Sequence, residues 1–182
     1  SLGGNGTKAE ILGCEINNPT GNGIMVNTGA EITSITDTNI TAYSYGVRIS
    51  ADSGYTNKIG TISNCKIQTL STGSTSSKST GAILLDGGWG VENCGLIIDT
   101  IEKCHLICNG VNLEDAGIQI YRTRQVDSQD IYIGTIKDTK IECFNGASGM
   151  FVHETTIHNI LNTNIHTNIN TSSHNRNSHG IY

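Results

Sequence analysis

Three charged side chains occupy one position of a repeated sequence pattern. Counted from the glycine that opens each copy, Asp86, Arg122 and Glu154 fall at the same place in three successive copies. If the copies stack as neighbouring strands, the carboxyl groups of Asp86 and Glu154 lie on the order of 9–10 Å apart. Inverting glycosidases hold an acid and a base carboxyl roughly 6.5–9.5 Å apart. The spacing therefore predicts Asp86 and Glu154 as a catalytic acid and base, with Arg122 binding an anionic group.

Aromatic and polar side chains near this trio would complete a carbohydrate-binding site. Tyr121 and His153 lie beside it along the chain, and Trp89, the only tryptophan, follows within a glycine-rich stretch. A large aromatic ring offers an apolar face on which a sugar can stack. We therefore predict four substrate-binding residues, Trp89, Tyr121, Arg122 and His153. The alternative interpretation is a solvated ladder of alternating charge, which contributes little to stability.

The repeated pattern itself has two parts. The first is an Ile-x-x-Ile segment, a bend and a third apolar residue, as in the stretch 59–67, with further copies at 32–40, 98–106, 133–141 and 157–165 and a shortened one at 11–16. The second is Gly-apolar-x-apolar, which opens at Gly23, Gly46, Gly81, Gly117, Gly149 and Gly180. Its alternation predicts a strand with one buried face. Copies recur roughly every 24 to 39 residues, a period typical of solenoids.

The composition of the copies favours strands over helices. Ile, Val and Thr dominate, and these β-branched residues suit a pleated sheet. No amphipathic helical stretch separates the copies. The bend position holds Gly, Asn or Asp in five of six copies, which are residues that tolerate a left-handed backbone. Lys103 is the exception and is expected to be slightly strained.

These motifs resemble the pectate-lyase-like right-handed parallel β-helix superfamily, over the chain from about Ile11 to Tyr182. The resemblance implies an all-β fold, a right-handed parallel β-helix forming a single-stranded solenoid of about six coils with three strands per coil. It also implies that the loops flanking the Gly-apolar-x-apolar strand wall a groove where polysaccharide binds. We predict one domain over residues 1–182, as a segment of a longer chain, because exposed solenoid ends are normally capped.

Charge and hydropathy bear on the partners. The net charge of −5 with 11 Lys and Arg argues against a nucleic-acid surface. No apolar run approaches the length needed to cross a membrane. Five histidines in the last third of the chain fall on different faces, so we predict no metal site, and no motif indicates a cofactor.

The six cysteines are predicted to be buried free thiols. Stacking puts Cys14, Cys65 and Cys104 in one inward row, and Cys108 and Cys143 in another. Neighbours in such a row stand ~4.8 Å apart with parallel side chains. A disulfide needs Cβ atoms nearer ~3.8 Å apart. The spacing therefore argues against a disulfide scaffold.

The resemblance leaves the activity open. The calcium-binding Asp cluster of pectate lyases is absent, as are the Asn-Thr-Asp, Gly-His-Gly and Arg-Ile-Lys motifs of polygalacturonases. Phage tail spikes of this superfamily resemble the chain in being rich in Asn, Thr and Gly and free of disulfides, and they are usually homotrimers. By this resemblance we expect a module on a virion surface or in an extracellular setting that binds a bacterial surface polysaccharide, with cleavage by a hydrolase or lyase reaction as an open question. The alternatives are a secreted polysaccharide lyase or hydrolase, and a structural adhesin or spacer without catalysis.

Overall fold

Every regular element in the described part of the chain is a β-strand. The computed structural model describes residues 1–70, 79–88, 91–110, 114–121, 130–153, 155–168 and 180–181. Its strands are, in chain order, β1 Lys8–Leu12, β2 Glu15–Asn18, β3 Ile24–Val26, β4 Glu31–Thr36, β5 Asn39–Ala42, β6 Tyr45–Ser50, β7 Thr56–Ser63, β8 Lys66–Thr69, β9 Gly81–Asp86, β10 Gly95–Glu102, β11 His105–Cys108, β12 Ala116–Tyr121, β13 Asp130–Lys137, β14 Lys140–Cys143, β15 Ser148–His153, β16 Thr156–Leu161 and β17 Asn164–Thr167.

The strands form three parallel sheets that the chain visits in turn. Sheet 1 contains β1, β4, β7, β10, β13 and β16, and sheet 2 contains β2, β5, β8, β11, β14 and β17. Sheet 3 contains β3, β6, β9, β12 and β15. Each strand pairs with the strand three places along the chain, so one coil adds one strand to every sheet. This is a parallel β-helix of about six coils, and it confirms the predicted fold class.

Stacked isoleucines form the core of the solenoid. Ile101 pairs in register with Ile62 on one side and Ile136 on the other, as the repeat predicts. All three are fully buried. Burial of such a side chain stabilises the folded state by about 1.5–3 kcal/mol. Because each coil presents the same residue type at the same place, the stack continues without a void.

Both isoleucines of the Ile-x-x-Ile segment face inward because the ladder is interrupted between them. Ile98 pairs with Ile133 and Thr100 with Thr135, while Asp99 and Gly134 fall outside the ladder on their two strands and the register does not shift. Strict alternation would turn one of the two isoleucines outward. The coils approach closely here, since a Cβ at Gly134 would lie 2.5 Å from the Asp99 carbonyl oxygen. Glycine is therefore required on the coil that stacks above Asp99.

The bend between sheets 1 and 2 is a single residue with a left-handed backbone, as predicted. The φ angles lie between 45° and 62° at all six copies, namely Gly13, Asp37, Asn64, Lys103, Asp138 and Asn162. The next residue closes the turn, since the Thr38 hydroxyl donates to the Thr36 carbonyl at 2.9 Å and the Cys104 thiol to that of Glu102 at 3.2 Å. Cysteine and threonine interchange in this row because both carry a short side chain with a donor.

All six cysteines are free thiols, as predicted. Five are buried, and Cys14, on the first coil, is exposed. Cys108 and Cys143 pair in register on neighbouring strands. A hydrogen bond between these two thiols, together with burial, raises the pKa of Cys143. Thiols in these rows therefore act as small apolar residues of the core.

The predicted alignment of the third Gly-apolar-x-apolar copy is wrong by one residue. Gly81 pairs with Tyr45 and not with Gly46, so Ile83 faces inward and Ala82 takes the glycine position. The reason lies in sheet 2. A Cβ at Gly46 or Gly117 would overlap the Cγ2 methyl of an isoleucine, but the residue in that row beside Ala82 is Leu106, which has no branch at Cβ.

The buried stack predicts a large penalty for a charge at its centre. Ile101→Asp places a carboxylate in a fully apolar row, where burial of an unpaired charge destabilises by several kcal/mol (about 3–5). We expect this variant to be unfolded or strongly destabilised in urea denaturation followed by circular dichroism. Thr100→Asp, which adds the same charge on the outer face one residue earlier, is the control. Equal stability of the two variants would contradict the inward stack.

The fit between sheets 2 and 3 predicts a rescue. Gly117→Ala brings a methyl group against the Cγ2 of Ile141 and is expected to cost about 1–3 kcal/mol. Adding Ile141→Leu removes the branch at Cβ and should restore part of that loss, as Leu106 accommodates Ala82. Denaturation midpoints of both single variants and the double variant measure the coupling. Strictly additive losses would show that the two positions do not compete for space.

Candidate functional site

Four polar positions line the edge at which the strands of sheet 3 end. Ser50, Asp86, Tyr121 and His153 are in register on four successive coils. We call these four residues the exit row. Each is partly exposed, so the row is accessible along one edge of the sheet. Neighbouring members stand ~4.8 Å apart, the spacing of hydrogen-bonded strands.

The exit row differs from the row predicted for the two catalytic carboxyls. Asp86 shares its register with Tyr121 and His153, and the predicted alignment with Arg122 and Glu154 is wrong. The cause is the one-residue offset at Gly81 described above. On the coil of β15 the place in line with Asp86 belongs to His153. Trp89, Arg122 and Glu154 lie outside the described residues.

Asp86 forms an ion pair that the sequence did not reveal. Its Oδ2 accepts a hydrogen bond from the Arg48 guanidinium at 2.7 Å, and its Oδ1 accepts one from the Gly88 backbone N–H at 3.2 Å. Both side chains of the pair are about one-third exposed, at 32% each. When Ala82 is aligned with Gly46, Asp86 lies next to Ser50 on the neighbouring strand and diagonal to Arg48. The contact between Asp86 and Arg48 could therefore have been predicted from the sequence with the correct register.

Arg48 also contacts an aromatic ring on its own strand. Its guanidinium carbon lies 5.9 Å from the centre of the Tyr45 ring. The Tyr45 hydroxyl hydrogen-bonds the Ser79 hydroxyl at 2.6 Å, and burial raises the pKa of Tyr45 to about 12. Tyr45 is therefore protonated at neutral pH and holds Arg48 from one side while Asp86 holds it from the other. The guanidinium is fixed in place before any ligand arrives.

Tyr121 is the aromatic centre of the exit row. Its ring lies 5.2 Å from that of Phe151 and 6.5 Å from that of His153. Burial raises the pKa of Tyr121, and the neighbouring Glu114 carboxylate, which accepts a hydrogen bond from the phenol, raises it further. The phenol is therefore protonated at neutral pH. Its oxygen can accept a hydrogen bond and its ring offers an aromatic face, but the phenol cannot act as a base.

The middle of the outer face of sheet 3 is covered. Its outward positions on β9, β12 and β15 are Leu84, Gln119 and Phe151, all of them buried. The Gln119 amide donates to the Thr80 carbonyl at 2.9 Å and to the carbonyl of Glu114, so the chain on either side packs onto this face. The alternation predicts a strand with one buried face, but on these three coils the outer face is buried as well. The accessible polar surface of sheet 3 is its exit edge.

Within the described residues, no group of three or more His, Cys, Asp or Glu side chains is placed to hold a metal ion. The same part of the chain includes no helix with the length and apolar character of a membrane span.

No protein family matches the chain, and no curated protein and no solved structure matches it. The fold and the exit row thus define an architectural class, a parallel β-helix with a polar row along one sheet edge.

Proposed function

We propose that the protein is a polysaccharide-binding β-helix module of the phage tail-spike kind, within the pectate-lyase-like superfamily, and that the exit row contacts the glycan. The observation that supports this most directly is the row itself. It presents a carboxylate paired with a guanidinium, a protonated phenol and an imidazole at consecutive coils. A ligand site needs a few well-placed polar groups that fix orientation. A linear chain of sugars rich in hydroxyl groups is complementary to such a row.

The aromatic cluster supports the same ligand class. Tyr121 packs against Phe151, which limits the freedom of its ring. A fixed aromatic ring offers contact area at low cost in side-chain entropy, since little rotamer freedom is left to lose. The ring can stack on the apolar face of a sugar while the phenol and Asp86 contact hydroxyl groups. Trp89 and Arg122 are proposed as further contacts on the basis of the sequence.

Cleavage is a separate part of the proposal. Asp86 is the candidate carboxyl of the exit row, and Glu154, which directly follows His153 in the chain, is the candidate partner from the sequence. In a hydrolase one carboxyl protonates the leaving oxygen while the other activates water. The tail-spike proposal also includes assembly as a homotrimer on a virion surface. Sedimentation of the full-length parent protein would distinguish a trimer from a monomer.

The proposal is tested by binding to a panel of bacterial surface polysaccharides. We expect Asp86→Asn and His153→Gln each to weaken binding at least tenfold, which corresponds to about 1.4 kcal/mol. Isothermal titration calorimetry measures the affinity, and Thr135→Ala on the outer face of sheet 1 is the control. The Asp86–Arg48 pair is partly exposed, so its loss costs about 1 kcal/mol or less and the variant should stay folded.

Two outcomes would reject parts of the proposal. Unchanged affinity in Asp86→Asn and His153→Gln would remove the exit row as the binding site. Absence of binding to every polysaccharide would favour the structural spacer. Release of reducing ends or of unsaturated uronates by the wild type would establish cleavage. Activity that survives both Asp86→Ala and Glu154→Ala would eliminate these two residues as acid and base.

A further inference from the structure

A second concave surface lies away from the exit row, where sheet 1 turns into sheet 2. This depression of about 380 Å³ spans coils two to five along the left-handed bends. We call it the bend furrow. It continues past Asn39 into a smaller depression of about 150 Å³ on the outer face of sheet 2. The polar lining residues on which its charge depends are Asn39, Asn64, Lys66, Lys103, His105, Asp138 and Lys140.

The register of sheet 2 places the basic side chains together. Lys66, His105 and Lys140 are paired in line on β8, β11 and β14, so they stand one strand apart. Lys103 joins them from the adjacent bend. Lys66 and Lys140 lie two strands apart with His105 between them, so the row gathers basic side chains on one part of the solenoid surface.

The carboxylates near the cluster, Glu142 and Asp138, lie on its last coil, and Asp138 accepts a hydrogen bond from the Asn162 amide at 2.6 Å. Glu142 forms an ion pair with Lys140 at 2.8 Å and a second contact with His105, and the pKa of Glu142 is lowered by both partners. Across the part of the chain that the structure describes, neither Lys66 nor Lys103 forms an ion pair. Two exposed ammonium groups therefore face the furrow of an otherwise acidic protein.

The outer face of sheet 1 shows a different arrangement of charge. Its lysines are all paired across strands at 2.7 Å, in Lys8–Glu31, Lys58–Asp99 and Lys137–Glu102. On sheet 1 each of these lysines forms an ion pair. In the bend furrow Asp138 follows Lys103 in the row of bends, but among the described residues neither Lys66 nor Lys103 forms an ion pair. This contrast between faces indicates a counter-charge that comes from outside the chain.

Lys103 is held in a backbone conformation that disfavours it. Its φ is 52°, at a position that holds Gly, Asn or Asp on the five other coils. A lysine in the left-handed region destabilises the folded state more than asparagine or glycine would at the same position. Strain of this kind is concentrated at functional sites. The ammonium group is therefore the property that distinguishes this residue from the residues of the other bends.

The shape and lining of the furrow favour an acidic glycan over a nucleic acid. The smaller depression continues it with the neutral polar groups of Asn39, Thr41 and Gln68 on two neighbouring coils, and Glu15 and Lys66 also line it. Among the described residues no Phe, Tyr or Trp lines either depression, whereas single-stranded nucleic acids are bound by stacking on aromatic rings.

We propose that the bend furrow is a second binding site, which takes the carboxylate or sulfate groups of an acidic polysaccharide on Lys66 and Lys103. The site is independent of the exit row, since it lies on another face of the solenoid and uses none of the same residues. Exposed ion pairs are individually weak and screened by salt, so the affinity depends on several contacts and on ionic strength.

The test uses oligogalacturonate and a sulfated dextran oligosaccharide as probes, titrated by calorimetry into the whole chain. We expect binding at low ionic strength that weakens at about 0.15 M salt. The double variant Lys66→Gln/Lys103→Asn should lose at least fivefold in affinity. Lys103→Asn alone should be at least as stable as the wild type, because asparagine suits the left-handed bend. Lost binding with retained stability separates a binding role from a structural one.

A matched control and two further probes make the test decisive. Lys8→Gln/Lys58→Gln removes the same charge from sheet 1 and should leave the affinity unchanged. The methyl ester of oligogalacturonate should bind as weakly as the furrow variant. The proposal is overturned if neither acidic probe binds, if the furrow variant binds like the wild type, or if the sheet 1 control loses as much affinity. Tighter binding of single-stranded DNA than of either glycan would also overturn it.

Discussion

In-register contact between identical positions of adjacent coils is the constraint on which this structure depends. Ile62, Ile101 and Ile136 are buried against each other, and their backbones are joined by parallel ladders. A coil of a different cross-section would break the ladder and open a void at the same time. The interruption of the sheet 1 ladder, the left-handed bend and the glycines of sheet 3 all keep the cross-section constant while the connecting segments vary in length.

The same constraint produces both polar surfaces. Once the inward rows are in register, the outward rows are aligned as well, so residues tens of positions apart become neighbours. Asp86, Tyr121 and His153 meet in this way at the exit of sheet 3, and Lys66, His105 and Lys140 meet on sheet 2. The chemistry of each surface is therefore set by the side chains that successive coils place in one row. The strand register alone brings these residues together.

The rows that depend on residue type could be predicted from the sequence, and the rows that depend on contacts between sheets could not. The isoleucine stack and the bend follow from β-branched residues and from Gly, Asn or Asp at a fixed place. The alignment of β9 fails because the glycine of the pattern marks a close approach of sheet 2, and Leu106 relaxes that approach at Ala82. The partner of Asp86 was missed for the same reason, since an error of one residue moves every side chain to another row. The pairing of charges across coils likewise has no signature along the chain.

The bend between sheets 1 and 2 differs from the other two corners of the coil. Two residues join the strands there on all six coils, for example Asn64 and Cys65 between β7 and β8. The other corners hold segments of unequal length, so insertions and deletions can occur there without disturbing the ladder. An engineer could therefore graft foreign loops at those corners and vary recognition widely. The surface beside the two-residue corner can be changed only by point substitution. A protein with loops grafted at the other corners would therefore keep the shape of this surface.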